Sequence, residues 1–79
     1  MTHSEVFDIV VRHTREVIPG LDGHQFQADD SLKALGANSM DRSEIVMMAL
    51  DSLSLNVPLV ATAGARNIGE LANLLHAKL

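Results

Sequence analysis

Three segments of the chain carry mainly apolar residues at the three- and four-residue spacing of a helix that is buried on one face. The stripes are Phe7, Val10, Val11, Thr14, Val17 and Ile18 in the first segment, Ile45, Val46, Ala49, Leu50 and Leu53 in the second, and Ile68, Leu71, Ala72 and Leu75 in the third. Helices of this kind bury their apolar faces against one another. The pattern therefore predicts an all-α bundle formed by residues 1–79 as a single domain.

Capping residues mark where these helices are expected to begin. Thr2 and Glu5 form the Ser/Thr-x-x-Glu pattern of a capping box at the first helix. Asn38 is well suited to cap the second helix. Asn67 is expected to cap the last helix, with Glu70 as its reciprocal partner.

The connections complete the predicted architecture. Residues 19–38 form a long connection between the first two helices, and a loop of this length is usually functional or held by apolar anchors. Its anchors are Leu21, Phe26, Leu32 and Leu35. The second helix is predicted over 39–53, a break follows at 56–58 (NVP), and a short third helix is predicted within 59–66. The expected fold is a four-helix bundle with a long loop between helices 1 and 2 and a short helix 3.

Charge and composition exclude several classes of function. The net charge is −4, with ten acidic and six basic residues, and nucleic-acid binding needs clustered basic residues. An acidic surface favours partners with basic patches, or it only maintains solubility. There is no cysteine, no basic leader and no apolar run near the ~20 residues of a membrane helix. A cytoplasmic protein without a membrane segment is expected.

The residue pattern does not suggest an enzyme. The four histidines are scattered without metal-ligand spacing, and no nucleophile, base and acid can be grouped into a catalytic or metal site. Histidines expected to be solvated surface residues are His3, His24 and His76. Residues expected on the solvent-facing side of the first helix are Arg12, Arg15 and Glu16.

Residues 35–40 (LGANSM) are the most informative segment. A glycine-containing turn delivers Ser39 to the start of an amphipathic helix. A phosphate esterified to Ser39 would lie near unpaired backbone N–H groups and the positive end of the helix dipole. On the local sequence alone, the alternative is that Asn38 or Ser39 is only a helix cap.

Segment 35–40 resembles the attachment motif of acyl carrier proteins, Leu-Gly-x-Asp-Ser-Leu, whose serine receives 4′-phosphopantetheine. The likeness extends to residues 39–46, 56–58 and 67–71, and the whole chain is similar to the family's helical plan. Asn38 stands where most members have Asp, and Met40 where Leu is usual. The resemblance implies that the Asp carboxylate at this position helps to hold the metal ion during pantetheine transfer. Asn38 lacks that carboxylate, so modification of Ser39 is expected to be slower.

Residues 36–45 and 65–71 are also similar to the free-standing donor carriers of polyketide β-branching cassettes. This resemblance implies a monomeric, non-enzymatic carrier with 4′-phosphopantetheine on Ser39 and a malonyl cargo that becomes acetyl. The implied partners are a phosphopantetheinyl transferase, an acyltransferase, a decarboxylating ketosynthase-like enzyme and a hydroxymethylglutaryl (HMG) synthase-like enzyme. The alternatives are a helical interaction module without a prosthetic group, or a peptidyl or aminoacyl carrier.

A carrier needs an apolar channel for its cargo and a surface for its partners. Channel candidates, for which ordinary core is the alternative, are Ile45, Val46, Ala49, Leu50, Ala65 and Ile68. Recognition candidates on the second helix are Met40, Asp41, Arg42, Glu44, Met47, Met48 and Asp51. Consecutive Met47 and Met48 diverge by about 100° and cannot both face the core. Arg42 has no acidic neighbour at helical spacing and is expected to lack an internal ion pair.

Overall fold

Three α-helices make up the framework of the computed structural model, which describes all 79 residues. Helix α1 spans His3–Val17, α2 spans Ser39–Ser52 and α3 spans Ile68–Ala77. Two short 3-10 turns, Pro19–Leu21 and Leu59–Thr62, interrupt the connections. The chain contains no strand, and the all-α prediction is confirmed. None of the helices has the length and apolar character needed to cross a membrane.

The predicted short third helix is not confirmed as an α-helix, because this segment forms only a 3-10 turn over Leu59–Thr62. Pro58 leads into the turn with extended backbone angles, φ −67° and ψ 147°. The Thr62 hydroxyl donates to the carbonyl oxygen of Leu59 at 2.8 Å, and Gly64 follows. β-branched residues and glycine have low helix propensity, so nothing extends the turn. The bundle therefore has three α-helices.

The first two helices begin where their caps predict. At α1, the Thr2 hydroxyl accepts from the Glu5 N–H at 3.2 Å and the Glu5 carboxylate accepts from the Thr2 N–H at 2.8 Å. At α2, Asn38 Oδ1 accepts from the Asp41 N–H at 2.8 Å, and the Asp41 carboxylate accepts from the Asn38 N–H at 3.2 Å. Both helices therefore start with a complete capping box.

Helix α3 has only half of its predicted cap. Asn67 Oδ1 accepts from the Glu70 N–H at 2.7 Å, as expected. The Glu70 carboxylate, however, accepts from the backbone N–H of Arg66 at 2.9 Å and pairs with the Arg66 guanidinium at 3.2 Å. The predicted reciprocal bond from Glu70 to Asn67 is wrong because Arg66 competes for the carboxylate.

The stripes of α2 and α3 meet in one hydrophobic core, to which α1 contributes Val10 from its predicted stripe and Val6, which the stripe did not include. Helix α1 packs against both α2 and α3, and the stripes of α2 and α3 are buried throughout. The core residues are Val6, Val10, Leu32, Ala37, Ile45, Val46, Ala49, Leu50, Leu53, Ile68, Leu71, Ala72 and Leu75. The core also includes Leu32 and Ala37 of the long connection, which precede the start of α2.

Two side chains predicted to be solvated instead organise the long connection. Arg15 Nη2 donates to the carbonyl oxygen of His24 at 3.1 Å, and its guanidinium carbon lies 5.1 Å from the centroid of the Phe26 ring. The His24 Nε2 atom lies 2.9 Å from Asp30 Oδ2. The predictions for Arg15 and His24 are wrong because the connection folds back onto α1.

The remaining histidines divide between buried and exposed positions. His13 is buried, with Nδ1 2.6 Å from Glu16 Oε1 and Nε2 2.6 Å from Ser52 Oγ. His76 is exposed, as predicted, whereas His3 is half-buried with its ring edge-to-face with that of His76. No three His, Asp or Glu side chains come together in a way that could hold a metal ion.

The long connection is joined to α3 through its backbone. The Ile68 N–H donates to the carbonyl oxygen of Asp30 at 2.9 Å, and the Gly69 N–H donates to that of Ala28 at 2.8 Å. A Cβ atom on Gly69 would lie 2.8 Å from the same Ala28 oxygen, so only glycine permits this approach. Two N–H groups that a helix start leaves unpaired are thereby satisfied.

Candidate functional site

Ser39 is the first residue of α2, and its side chain is exposed. The turn before it depends on Gly36, whose φ of 101° lies in the left-handed region that L side chains rarely adopt. The Ala37 N–H donates to the carbonyl oxygen of Leu32 at 2.9 Å, which closes the turn. The local sequence thus presents the Ser39 hydroxyl to solvent at a fixed position.

Arg42 holds this turn against α2. Its Nη1 atom donates to the carbonyl oxygen of Ala37 at 2.7 Å, and Ala37 is only 2% exposed. Arg42 forms no ion pair, as predicted from the absence of an acidic neighbour at helical spacing. The hydrogen bond was not predicted because it joins a side chain to a backbone carbonyl outside the helix.

The first turn of α2 leaves donors available beside the Ser39 hydroxyl. The N–H groups of Asp41 and Arg42 donate to the side chain and the carbonyl of Asn38. Those of Ser39 and Met40 have no acceptor within the protein, as expected for the start of a helix. An anionic phosphate ester on Ser39 fits this arrangement, because the free donors and the helix dipole both favour negative charge.

A groove with a volume of about 800 Å³ opens beside Ser39. We name it the Ser39 groove. It lies between the long connection, α2, the segment 59–66 and the start of α3. Its apolar lining residues are Leu32, Val46, Leu59, Val60, Ala63, Ala65 and Leu71.

The predicted channel residues fall into two groups. Val46 and Ala65 line the Ser39 groove. The others, Ile45, Ala49, Leu50 and Ile68, are at most 7% exposed and belong to the closed core. The sequence missed the lining contributed by the long connection and by the residues of segment 59–66 other than Ala65, because no local pattern shows that these two segments face α2 across one groove.

The polar lining of the Ser39 groove is basic. Lys33, Arg42 and Arg66 all line it, together with uncharged Ser31, Ser39, Ser43, Thr62 and Asn67. No Asp or Glu side chain lines the groove. Half of the six basic residues in a chain with ten acidic ones are therefore gathered beside Ser39.

Of the three cations, Arg66 already has an anionic partner. The backbone N–H of Arg66, and then its guanidinium, hold the pKa of the Glu70 carboxyl below its ordinary value of 4.5. Glu70 therefore remains ionised beside Arg66 at neutral pH. Lys33 has no side-chain hydrogen bond or ion pair, and Arg42 uses one guanidinium nitrogen on Ala37.

The predicted recognition residues lie along the outer side of α2. Met40 is 79% exposed and Met47 is 59% exposed, whereas Met48 is half-buried. The prediction that Met47 and Met48 diverge is confirmed. Glu44 and Asp51 are also exposed, and Asp41 and Arg42 are half-buried because they serve in the cap and the turn.

Comparison with known proteins gives consistent matches. Residues 11–75 match the family described as "Phosphopantetheine attachment site". The chain is 44% identical over 79 residues to the polyketide biosynthesis acyl-carrier protein AcpK of Bacillus subtilis (strain 168), which covers all of this chain and 96% of that protein. It also matches a chain in the crystal structure of the curacin biosynthetic pathway HMG synthase in complex with acetyl donor-ACP. That match has a TM-score of 0.96 and 47% identity, and it covers 99% of this chain and 100% of that one.

Proposed function

Because the chain belongs to the acyl-carrier-protein family, whose members bear a phosphopantetheine attachment site, we propose that Ser39 carries the arm. The observation that supports this assignment is the position of Ser39. Its exposed hydroxyl lies at the first residue of α2, within the matched residues, and opens onto a groove of about 800 Å³. When bound, phosphopantetheine supplies a terminal thiol that holds an acyl group as a thioester.

The protein's own residues position and shelter that group. Gly36 and the bond from Arg42 to Ala37 fix the turn before Ser39. The free N–H groups of Ser39 and Met40 favour the negative charge of the phosphodiester. The apolar lining of the Ser39 groove, with Val46 and Ala65 among its members, offers a dry surface to a short acyl chain. These roles are those of a carrier that serves as the substrate of enzymes.

We further propose the donor role in polyketide β-branching. Both relatives support it: one is a polyketide biosynthesis acyl carrier, and the other is a chain in a complex of an HMG synthase with an acetyl donor carrier. In this role the cargo is malonyl and later acetyl. The partners are a phosphopantetheinyl transferase, an acyltransferase, a decarboxylating ketosynthase-like enzyme and an HMG-synthase-like enzyme. The exposed Met40 and Met47 on α2 present an adaptable apolar surface to them.

Intact-mass measurement tests the attachment site. Incubation with coenzyme A and a phosphopantetheinyl transferase is expected to add one phosphopantetheine to the protein. Ser39→Ala should prevent the addition with unchanged helix content. Ser43→Ala is the matched control, since this serine lies one turn further along α2 and should leave the addition intact. Modification of Ser39→Ala, or none of the wild-type protein, would overturn the assignment.

A transfer assay tests the donor role. The acetyl-loaded protein is mixed with an HMG-synthase-like enzyme, and acetyl transfer to the enzyme is followed by mass spectrometry. An aminoacyl-loaded sample of the same protein measures selectivity for the cargo. Rapid transfer of acetyl alone is expected. Absence of acetyl transfer from a fully loaded protein would contradict the donor role without affecting the attachment at Ser39.

A further inference from the structure

The charge of the Ser39 groove is opposite to the charge of the chain that forms it. Lys33 and Arg42 lie in its lining, which contains no carboxylate, whereas the chain as a whole has a net charge of −4. A neutral acyl chain has no use for cations at this position. An anionic group bound in the groove does, because an ion pair over a partly apolar surface is screened less than one in open solvent.

Lys33 and Arg42 are the cations free to bind such an anion. Lys33 has no side-chain partner in the protein, and Arg42 commits a single N–H to Ala37. The guanidinium has five N–H donors, so several remain for a carboxylate. Arg66 is already paired with Glu70.

We propose that the Ser39 groove selects an acyl group that ends in a carboxylate, with Lys33 and Arg42 binding that carboxylate. This inference rests on the proposed attachment at Ser39, which itself lines the groove, so an arm folded back along the groove brings its acyl group to these two side chains. The apolar residues beside them contact the methylene carbon. A dicarboxylic monothioester such as malonyl has the required charge.

The same site distinguishes the cargo before and after decarboxylation. Loss of the carboxylate as CO2, with a proton from water replacing it on the methylene carbon, leaves an uncharged acetyl group. The acetyl group has nothing to pair with Lys33 and Arg42. The groove therefore holds the malonyl form and releases the acetyl form, which leaves the acetyl thioester accessible to the acceptor enzyme.

Thermal unfolding and NMR of four loaded forms test this inference. A transferase attaches the unacylated, acetyl, butyryl or malonyl arm from the corresponding coenzyme A. Butyryl is the neutral group of similar length to malonyl. Malonyl loading is expected to raise the melting temperature above that of the acetyl and butyryl forms by about 2–6 °C, as for one partly screened ion pair in a domain of this size. The amide NMR signals of Val46 and Ala65 should shift on malonyl loading. Both this shift and the difference in melting temperature should shrink in 1 M NaCl.

A matched pair of variants identifies the cation. Lys33→Gln should abolish most of the difference between malonyl and acetyl, whereas Lys78→Gln, which removes the same charge near the C-terminus, should preserve it. Equal melting temperatures for the malonyl, butyryl and acetyl forms would overturn the inference, as would an undiminished difference in Lys33→Gln. A Lys33-dependent shift already present with the unacylated arm would assign the cations to the phosphodiester and also overturn it. Failure of the transferase to load any arm would instead overturn the attachment at Ser39, and the inference with it.

Discussion

The guanidinium of Arg42 donates to the carbonyl oxygen of Ala37 across 2.7 Å, and this bond ties α2 to the turn that precedes Ser39. A side chain in the first turns of the helix therefore holds the backbone that positions Ser39, the proposed attachment residue. The bond gives Arg42 a structural role in addition to its proposed roles in binding partners and cargo.

We expect Arg42→Gln to destabilise the protein, because the buried carbonyl of Ala37 loses its charged donor. The expected cost is about 1 kcal/mol, which corresponds to a melting temperature lower by about 4–8 °C in a domain of this size. Differential scanning calorimetry measures it. Arg12→Gln, at an exposed position of α1, is the control. Equal melting temperatures for the two variants would show that the bond contributes nothing.

Asn38→Asp should accelerate loading by a broad-specificity phosphopantetheinyl transferase severalfold, because it supplies the carboxylate that the family motif provides for the metal ion. Both residues cap well, but the new carboxylate faces that of Asp41, so a loss of stability of about 0.3 kcal/mol is expected. Initial loading rates at fixed Mg²⁺ concentration provide the measurement. Asn56→Asp adds the same charge at an exposed position beyond α2 and should leave the rate unchanged. An unchanged or slower rate for Asn38→Asp would refute this explanation.

Gly69→Ala should disturb the contact between α3 and the long connection. The added Cβ would lie 2.8 Å from the Ala28 carbonyl oxygen and 2.9 Å from its Cβ, distances that the backbone must relieve by moving. The expected cost is about 1–3 kcal/mol. Gly20→Ala is the matched control, since a Cβ there meets nothing within 4 Å and should be neutral or slightly stabilising. Urea unfolding compares the two, and equal midpoints would contradict the contact.

Acid should weaken the long connection through Asp30. The Gln27 backbone N–H, and then the His24 side chain, hold the pKa of the Asp30 carboxyl below its ordinary value of 3.8. A carboxyl group whose pKa is lowered in the folded state stabilises the fold at pH values above its ordinary pKa. This stabilisation is lost as the pH falls through the lower folded-state pKa. Melting temperatures of wild type and Asp30→Asn should therefore differ at pH 7 and converge as the pH falls from 3.8 through the lower folded-state pKa. Asp29→Asn, at the exposed neighbour, should match wild type throughout, and a constant gap for Asp30→Asn would disprove the linkage.

Local patterns predicted the helices and their starts, because periodicity and caps are properties of neighbouring residues. Local patterns correctly indicated Thr2 with Glu5, Asn38, and the buried stripes of α2 and α3. The errors have separate causes. Glu70 pairs with Arg66 where two nearby partners compete, and the turn Leu59–Thr62 lacks the propensity to become a helix.

The Ser39 groove could not be predicted because its lining is assembled from distant segments. Lys33 in the long connection and Leu59 beyond α2 meet across a space that neither local sequence describes. The hydrogen bond from the Arg15 side chain of α1 to the His24 carbonyl oxygen in the long connection is likewise a contact that neither local sequence describes. The sequence predicted only Ser39 at the start of α2 and the lining residues Val46 and Ala65.

The backbone bonds from Ile68 to Asp30 and from Gly69 to Ala28 set the distance between two edges of the Ser39 groove. Main-chain bonds of this kind do not depend on the side chains that face the groove. The aperture and the chemical preference of the groove are therefore separable properties. Under the proposed role, exchanging Lys33 or Leu59 would change which acyl group the groove binds while its width stays the same, so specificity can change without a change of scaffold.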